Sequence, residues 1–249
     1  MKRTIISSGL ALALCSGVAS ANLVGQSAQY AGSYTIDLNG QVVGSPRSGD
    51  VIAYSNLSGA ANAGFANPDI TATYGDELTL EATGRLQEVS FAVFNGGASA
   101  GPMTGAVIDL DFFRASDGSF LGGFSVNLSG ALTANPLDAG FFTTFTVGGL
   151  DTEEIDIDTN EIIMLQSYSD VAGSTALGVV SRTPPSVGSA IPQLYIDAMG
   201  VGTGPGFFNI VDQFQEPITF NMIAEVVVPS PAGASLLAMA GLVGLRRRR

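Results

Sequence analysis

The sequence predicts an all-β fold, a jelly-roll-like β-sandwich of about a dozen short strands. Three observations carry that prediction. Runs of alternating apolar and polar residues recur about every 8–15 residues, Gly, Asn and Asp turns separate them, and no long stretch has the helical period. A β-solenoid is the competing architecture, but no fixed-period repeat supports it, since Asn-Leu-Ser-Gly recurs only at 56–59 and 127–130.

Taken in order, residues 34–38 read as a strand stopped by Asn39-Gly40, a strong hairpin turn, with Val42 and Val43 returning before Gly44-Ser45-Pro46 breaks the run. Residues 51–54 are a short strand. The small, polar stretch 55–69 reads as a loop ending at Asn67-Pro68-Asp69. Strands at 70–74 and 78–82 are separated by a turn at Gly75-Asp76, and a further strand covers 86–94. After the Gly-rich loop 95–104, residues 106–115 alternate cleanly, with Ile108, Leu110 and Phe112 opposing Val107, Asp109 and Asp111. Asp117-Gly118 turns the chain into 120–128. Residues 141–147 have the aromatic and β-branched content of a strand, 154–159 alternate strictly, and 162–168, 177–181, 194–197, 207–211 and 218–228 complete the set. Thr183-Pro184-Pro185 and the Gly-rich 200–206 read as loops inside one domain.

Both ends of the chain differ from this body. Lys2 and Arg3 precede an apolar run over 5–18, and Ala19-Ser20-Ala21 offers a small-x-small cut ahead of Asn22, which is the pattern of an export signal over 1–21. A lipoprotein cut at Cys15 is disfavoured because Leu14 stands where a small residue is needed. At the other end, Val228-Pro229-Ser230-Pro231 leads into an apolar run over 232–245 and then Arg246, Arg247, Arg248 and Arg249. Fourteen residues of helix rise about 21 Å, short of the ~30 Å hydrocarbon core, and the run contains three glycines. The arginines hold their end on the cytoplasmic side. Such a segment suits transient insertion better than a permanent span. An ordinary C-terminal anchor with a stop-transfer cluster is the alternative.

This tail resembles the PEP-CTERM sorting signal, which membrane proteases called exosortases read. Ser230 stands where the name-giving signal has Glu, and the resemblance is confined to residues 228–249. It implies a bacterium of Gram-negative type, export machinery and an exosortase-like protease as partners, and a protein passing through the inner membrane to the cell surface or beyond. The mature body is then the single domain 22–227.

That body carries twenty-two acids against Arg47, Arg85, Arg114 and Arg182, a formal charge of −18. Such a surface repels nucleic acid and anionic membranes. The whole chain has no His and no Trp, its only Lys is Lys2 and its only Cys is Cys15. The body therefore has no disulfide to hold it. It also lacks Ser-His-Asp and Ser-Lys hydrolysis, thiol chemistry, ordinary zinc, copper or haem ligation, and a P-loop lysine.

Carboxylates remain. Asp109 and Asp111 lie two apart on one strand, so both face one side, about 6–7 Å apart. They are the only candidate pair for glycoside hydrolysis, and a solvent-facing strand is the simpler account of them. The acidic stretch 151–161 contains Asp156-x-Asp158-x-Asn160, the opening ligands of an EF-hand. Glu161 occupies the glycine position and Ser167 the twelfth, which excludes that motif. A looser calcium site at Asp151, Asp156, Asp158 and Asn160 is the candidate, against an exposed strand with Ile155 and Ile157 turned inward. Threonine pairs at 71/73 and 144/146 are too isolated for an ice-binding ladder.

The residues and the resemblance together give an exported, C-terminally sorted, non-enzymatic protein of the cell surface or extracellular matrix as the expectation. The alternative is a carbohydrate-binding sandwich acting on exopolysaccharide, assisted by calcium and with Tyr30, Tyr34 or Tyr54 as stacking groups. A carboxylate-pair glycosidase ranks third.

Overall fold

The computed structural model describes residues 23–44, 50–58, 61–68, 70–96, 101–198, 205–212, 214 and 216–230. Among them the chain is nearly all β. Its strands are β1 (Leu23–Val24), β2 (Gln29–Ile36), β3 (Asp50–Ser55), β4 (Ala61–Asn67), β5 (Thr73–Thr79), β6 (Gly84–Arg85) and β7 (Glu88–Asn95). Next come β8 (Gly105–Arg114), β9 (Phe120–Asn127), β10 (Phe141–Gly148), β11 (Asp156–Ile157) and β12 (Glu161–Ala172). The described strands close with β13 (Leu177–Arg182), β14 (Ser189–Ala190), β15 (Leu194–Asp197), β16 (Gly206–Phe208), β17 (Ile210–Val211), β18 (Pro217–Ile218) and β19 (Ala224–Pro229). One short helix, α1 (Ser129–Ala134), and a 3-10 turn at Leu150–Thr152 interrupt them.

Two seven-stranded sheets make the sandwich. The first runs β2-β10-β7-β13-β4, with β19 also against β7 and β3 beyond β19; the second runs β16-β15-β5-β12-β8-β9, with β14 also on β5. The β2–β10 pair is parallel, while β7, β8, β9, β12 and β13 pair antiparallel. Alternation selects the faces. In β8, Ile108, Leu110 and Phe112 are fully buried while Asp109 and Asp111 are half-buried on the other face. Opposite them, β7 and β10 present Val89, Phe91, Phe145 and Val147 to the same core. A smaller apolar cluster of Phe94, Phe142, Val180 and Ile223 covers the outer face of the first sheet, which explains why β7 is buried along its whole length.

The first sheet is broken on one side of β7. Strand β19 pairs with Glu88–Phe91 and β13 with Asn95 and Phe94, leaving the backbone between them without a strand partner. Side chains close the gap. Gln166, from the second sheet, donates to the Ala92 carbonyl at 3.0 Å, and Asp76 accepts the Met222 N–H at 2.8 Å. Asn56 donates to the Met222 carbonyl at 2.6 Å and accepts from the Ala224 N–H at 2.7 Å. All three are fully buried, and their burial is tolerable because each satisfies backbone groups that the break leaves open.

Several elements differ from the sequence-based expectation. Residues 61–67, expected as loop, form β4, because Ala and Gly let the strand lie close under the Phe94 ring; a Cβ at Gly64 would stand 2.6 Å from it. Gly75-Asp76, expected as a turn, lies in the middle of β5. The strand expected over 154–159 is cut to Asp156–Ile157, with Glu154 at φ +56°. The two expected hairpin turns stand, with Gly40 at φ +75° and Gly118 at +68°, conformations that glycine adopts without strain.

Candidate functional site

The three export-cut residues Ala19, Ala21 and Asn22 lie outside the described residues, as do Pro231, Arg246, Arg247, Arg248 and Arg249 of the tail. Three tail residues are described. Val228 is fully buried in β19 and pairs with Val51, Pro229 pairs with Asp50, and Ser230 follows the strand. The Pro-x-Pro motif thus begins inside a strand that is paired on both sides along part of its length, without an intervening linker. Among the described residues no helix is long and apolar enough to cross a membrane.

The calcium candidates do not converge. Asp156 pairs with Arg85 at 3.3 Å across the β6–β11 ladder, and Asp158 takes both carboxylate oxygens to Arg114 at 2.7 and 2.8 Å. Asn160 donates to the Leu80 carbonyl at 2.8 Å, and Asp151 sits in the 3-10 turn. Ile155 and Ile157 point into the core as the alternation predicts. Among the described residues no three acidic, His or Cys side chains are grouped to hold a metal ion.

Of the proposed stacking tyrosines, Tyr30 is 52% exposed and lies 5.3 Å from the Phe142 ring, with Arg182 over both. Tyr34 stacks on Phe145 at 5.8 Å. Tyr54 is fully buried and cannot serve; its hydroxyl has no hydrogen-bond partner among the described residues, and burial together with the nearby Asp76 pushes its pKa up.

Asp109 and Asp111 do share one face, the outer face of the second sheet, where they belong to a larger arrangement. Ser125 donates to Asp109 from β9. Asp111 lies over Gly123, whose missing side chain makes room for the carboxylate. Burial, reinforced by the charge of Asp109, raises the Asp111 pKa. Register then carries the row inward from Asp111 to Leu165, Gly75, Tyr195 and Phe207. Leu165 fills the space above Gly75, which is why a glycine stands in the middle of β5. The adjacent row holds Phe113, Ile163 and Glu77. Glu77 is raised by burial and by Glu161.

An apolar stripe therefore crosses this face, with an aromatic pair at each end: Phe113–Phe120, rings 5.3 Å apart, and Tyr195–Phe207, 5.5 Å apart. Only the Asp109/Asp111 part was legible beforehand. Phe113, Phe120, Leu165, Tyr195, Phe207 and Glu77 come from six further positions, five of them on other strands, and only the strand register brings them together.

No family model matches the chain, and no curated protein does. Among solved structures it is similar to a chain of the T13 IBDV viral particle, at 13% identity over 75% of this chain and 38% of that one, with a TM-score of 0.19. The chain spans about two fifths of that chain's length, and a likeness of this size carries no argument about fold or function.

Proposed function

We propose that the chain is an exported, C-terminally sorted, non-enzymatic component of the cell surface or extracellular matrix. The observation that carries this reading is the order of the last twenty-two residues: Val228, Pro229-Ser230-Pro231, an apolar run too short to span comfortably, then four arginines. The tail serves as a transient inner-membrane hold until an exosortase-like protease acts on it. The lack of His, Lys and Cys in the body supports a non-enzymatic role. Ser125 binds Asp109, so that pair does not present two free carboxylates, which favours a non-catalytic part for it.

Direct continuity between β19 and the tail gives the sorting step a geometric consequence. A cut beyond Pro229 leaves every strand paired, whereas one before Val228 strips a buried residue from the first sheet. The test is to remove residues 231–249 and fractionate the cells. The protein is expected to fold and to be lost from the surface into the medium. Undiminished surface attachment of the truncated chain overturns the reading.

A further inference from the structure

We propose that the outer face of the second sheet binds a neutral, hydroxyl-rich polymer, a glycan strand laid along the apolar stripe between Phe120 and Phe207. This names a ligand for the proposed surface component, and it stands or falls independently of how the tail is processed.

Phe120, 57% exposed, and the half-buried Phe113 and Phe207 supply ring surface at the two ends, with Tyr195 nearly buried beside Phe207. The centres of the two aromatic pairs are four strand spacings apart, about 19 Å at ~4.8 Å each, so the stripe suits an extended chain better than a single small molecule. Ile163 and Leu165 form the floor between them. Asp111 and Glu77 stand on opposite sides of that floor, and neither carboxylate has a hydrogen-bond donor among the described residues. A sugar ring offers what this surface lacks: apolar C–H faces for the aromatic rings and hydroxyl donors for the carboxylates.

Charge narrows the occupant. The body's formal −18 opposes an anionic polymer, a nucleic acid and a second copy placed face to face. A cationic partner would be best served by a continuous exposed acidic patch. Here the acids flank the stripe instead of lining it, Asp109 beyond Asp111 on one side and Glu161 beyond Glu77 on the other, so an occupant lying along the stripe meets apolar surface first and carboxylate acceptors at its edges. Neutral hydroxyls are satisfied by either protonation state.

The experiment is affinity gel electrophoresis of the full protein in gels containing an unsubstituted neutral glucan or mannan, a polyuronate, or polylysine, with sedimentation of the free protein alongside. Retardation by at least one neutral glycan is expected, weakened at least fivefold in Phe120→Ala and in Glu77→Ala. Ile52→Ala, which trims an exposed side chain of the first sheet, is expected to leave it unchanged. Phe120 is 57% exposed, so its loss spares the fold, and a thermal melt of each variant confirms this. Four results overturn the proposal: no retardation by any neutral glycan, retardation insensitive to both face variants, preferential capture by polylysine or polyuronate, or self-association abolished by Phe120→Ala. A failure here with normal surface sorting leaves the sorting proposal standing.

Discussion

Asp76 reaches from the inner face of one sheet to the break in the other, its Oδ2 accepting the Met222 N–H at 2.8 Å. Its other oxygen has no partner among the described residues, and burial raises its pKa well above the ordinary range. The side chain therefore acts as an acceptor and is costly as an anion.

Asp76→Ala is predicted to destabilise by about 1–3 kcal/mol, the cost of leaving a buried N–H unmade. Asp76→Asn keeps an acceptor and removes the ionisation penalty, so at pH 8 it should match or exceed the wild type. Urea unfolding at pH 5 and pH 8 separates the two. An Asn variant as damaged as the Ala variant at pH 8 would contradict the assignment.

Stability should fall as pH rises through the weakly acidic range. Glu88 is raised from 4.5 to about 7 by burial, with Glu225 and Asp50 adding repulsion. Between those values the folded state holds the extra proton, so stability is lost as pH climbs from about 4.5 to 7. Glu225, Glu77 and Asp111 are raised as well and act in the same direction. Discounted for partial solvent screening, Glu88 contributes about 1–2 kcal/mol. Melting temperature across pH 4–8 checks this, and Glu88→Gln should flatten the slope.

Gly64→Ala tests why β4 was not legible. The added Cβ would meet the buried Phe94 ring at 2.6 Å, and overpacking of this kind costs about 1–3 kcal/mol. Calorimetry should show a drop of several degrees. An unchanged melt would mean that the ring moves aside freely.

The acidic stretch 151–161 should behave as a paired surface. Arg114→Ala removes the contact to Asp158 at a predicted cost under about 1 kcal/mol, as for other solvent-exposed ion pairs. Excess calcium should leave the wild-type melting temperature unchanged relative to EDTA, because arginines from two separate strands already hold Asp156 and Asp158. A calcium-dependent rise of several degrees would show a metal site in this stretch.

The parts of the fold that were legible are those whose own residues decide them. Alternation in 106–115 placed Ile108, Leu110 and Phe112 inward, and Asn39-Gly40 and Asp117-Gly118 announced their turns. The misread parts depend on partners distant in sequence. Gly75-Asp76 has turn composition, yet Leu165 occupies the space over the glycine and Met222 occupies the carboxylate. Likewise Ala61–Asn67 looks like loop until Phe94 lies against Gly64. The candidate face was visible only as Asp109 and Asp111, since Tyr195 joins their row across two intervening strands.

The central claim is that the tail is a removable sorting signal on a folded body, and the intact mass of the native protein recovered from cells tests it most directly. The account predicts a C-terminus at or just beyond Pro229, with or without an attached group, because β19 is paired through that residue. A mass that runs through Arg249 would show an ordinary anchor and contradict it.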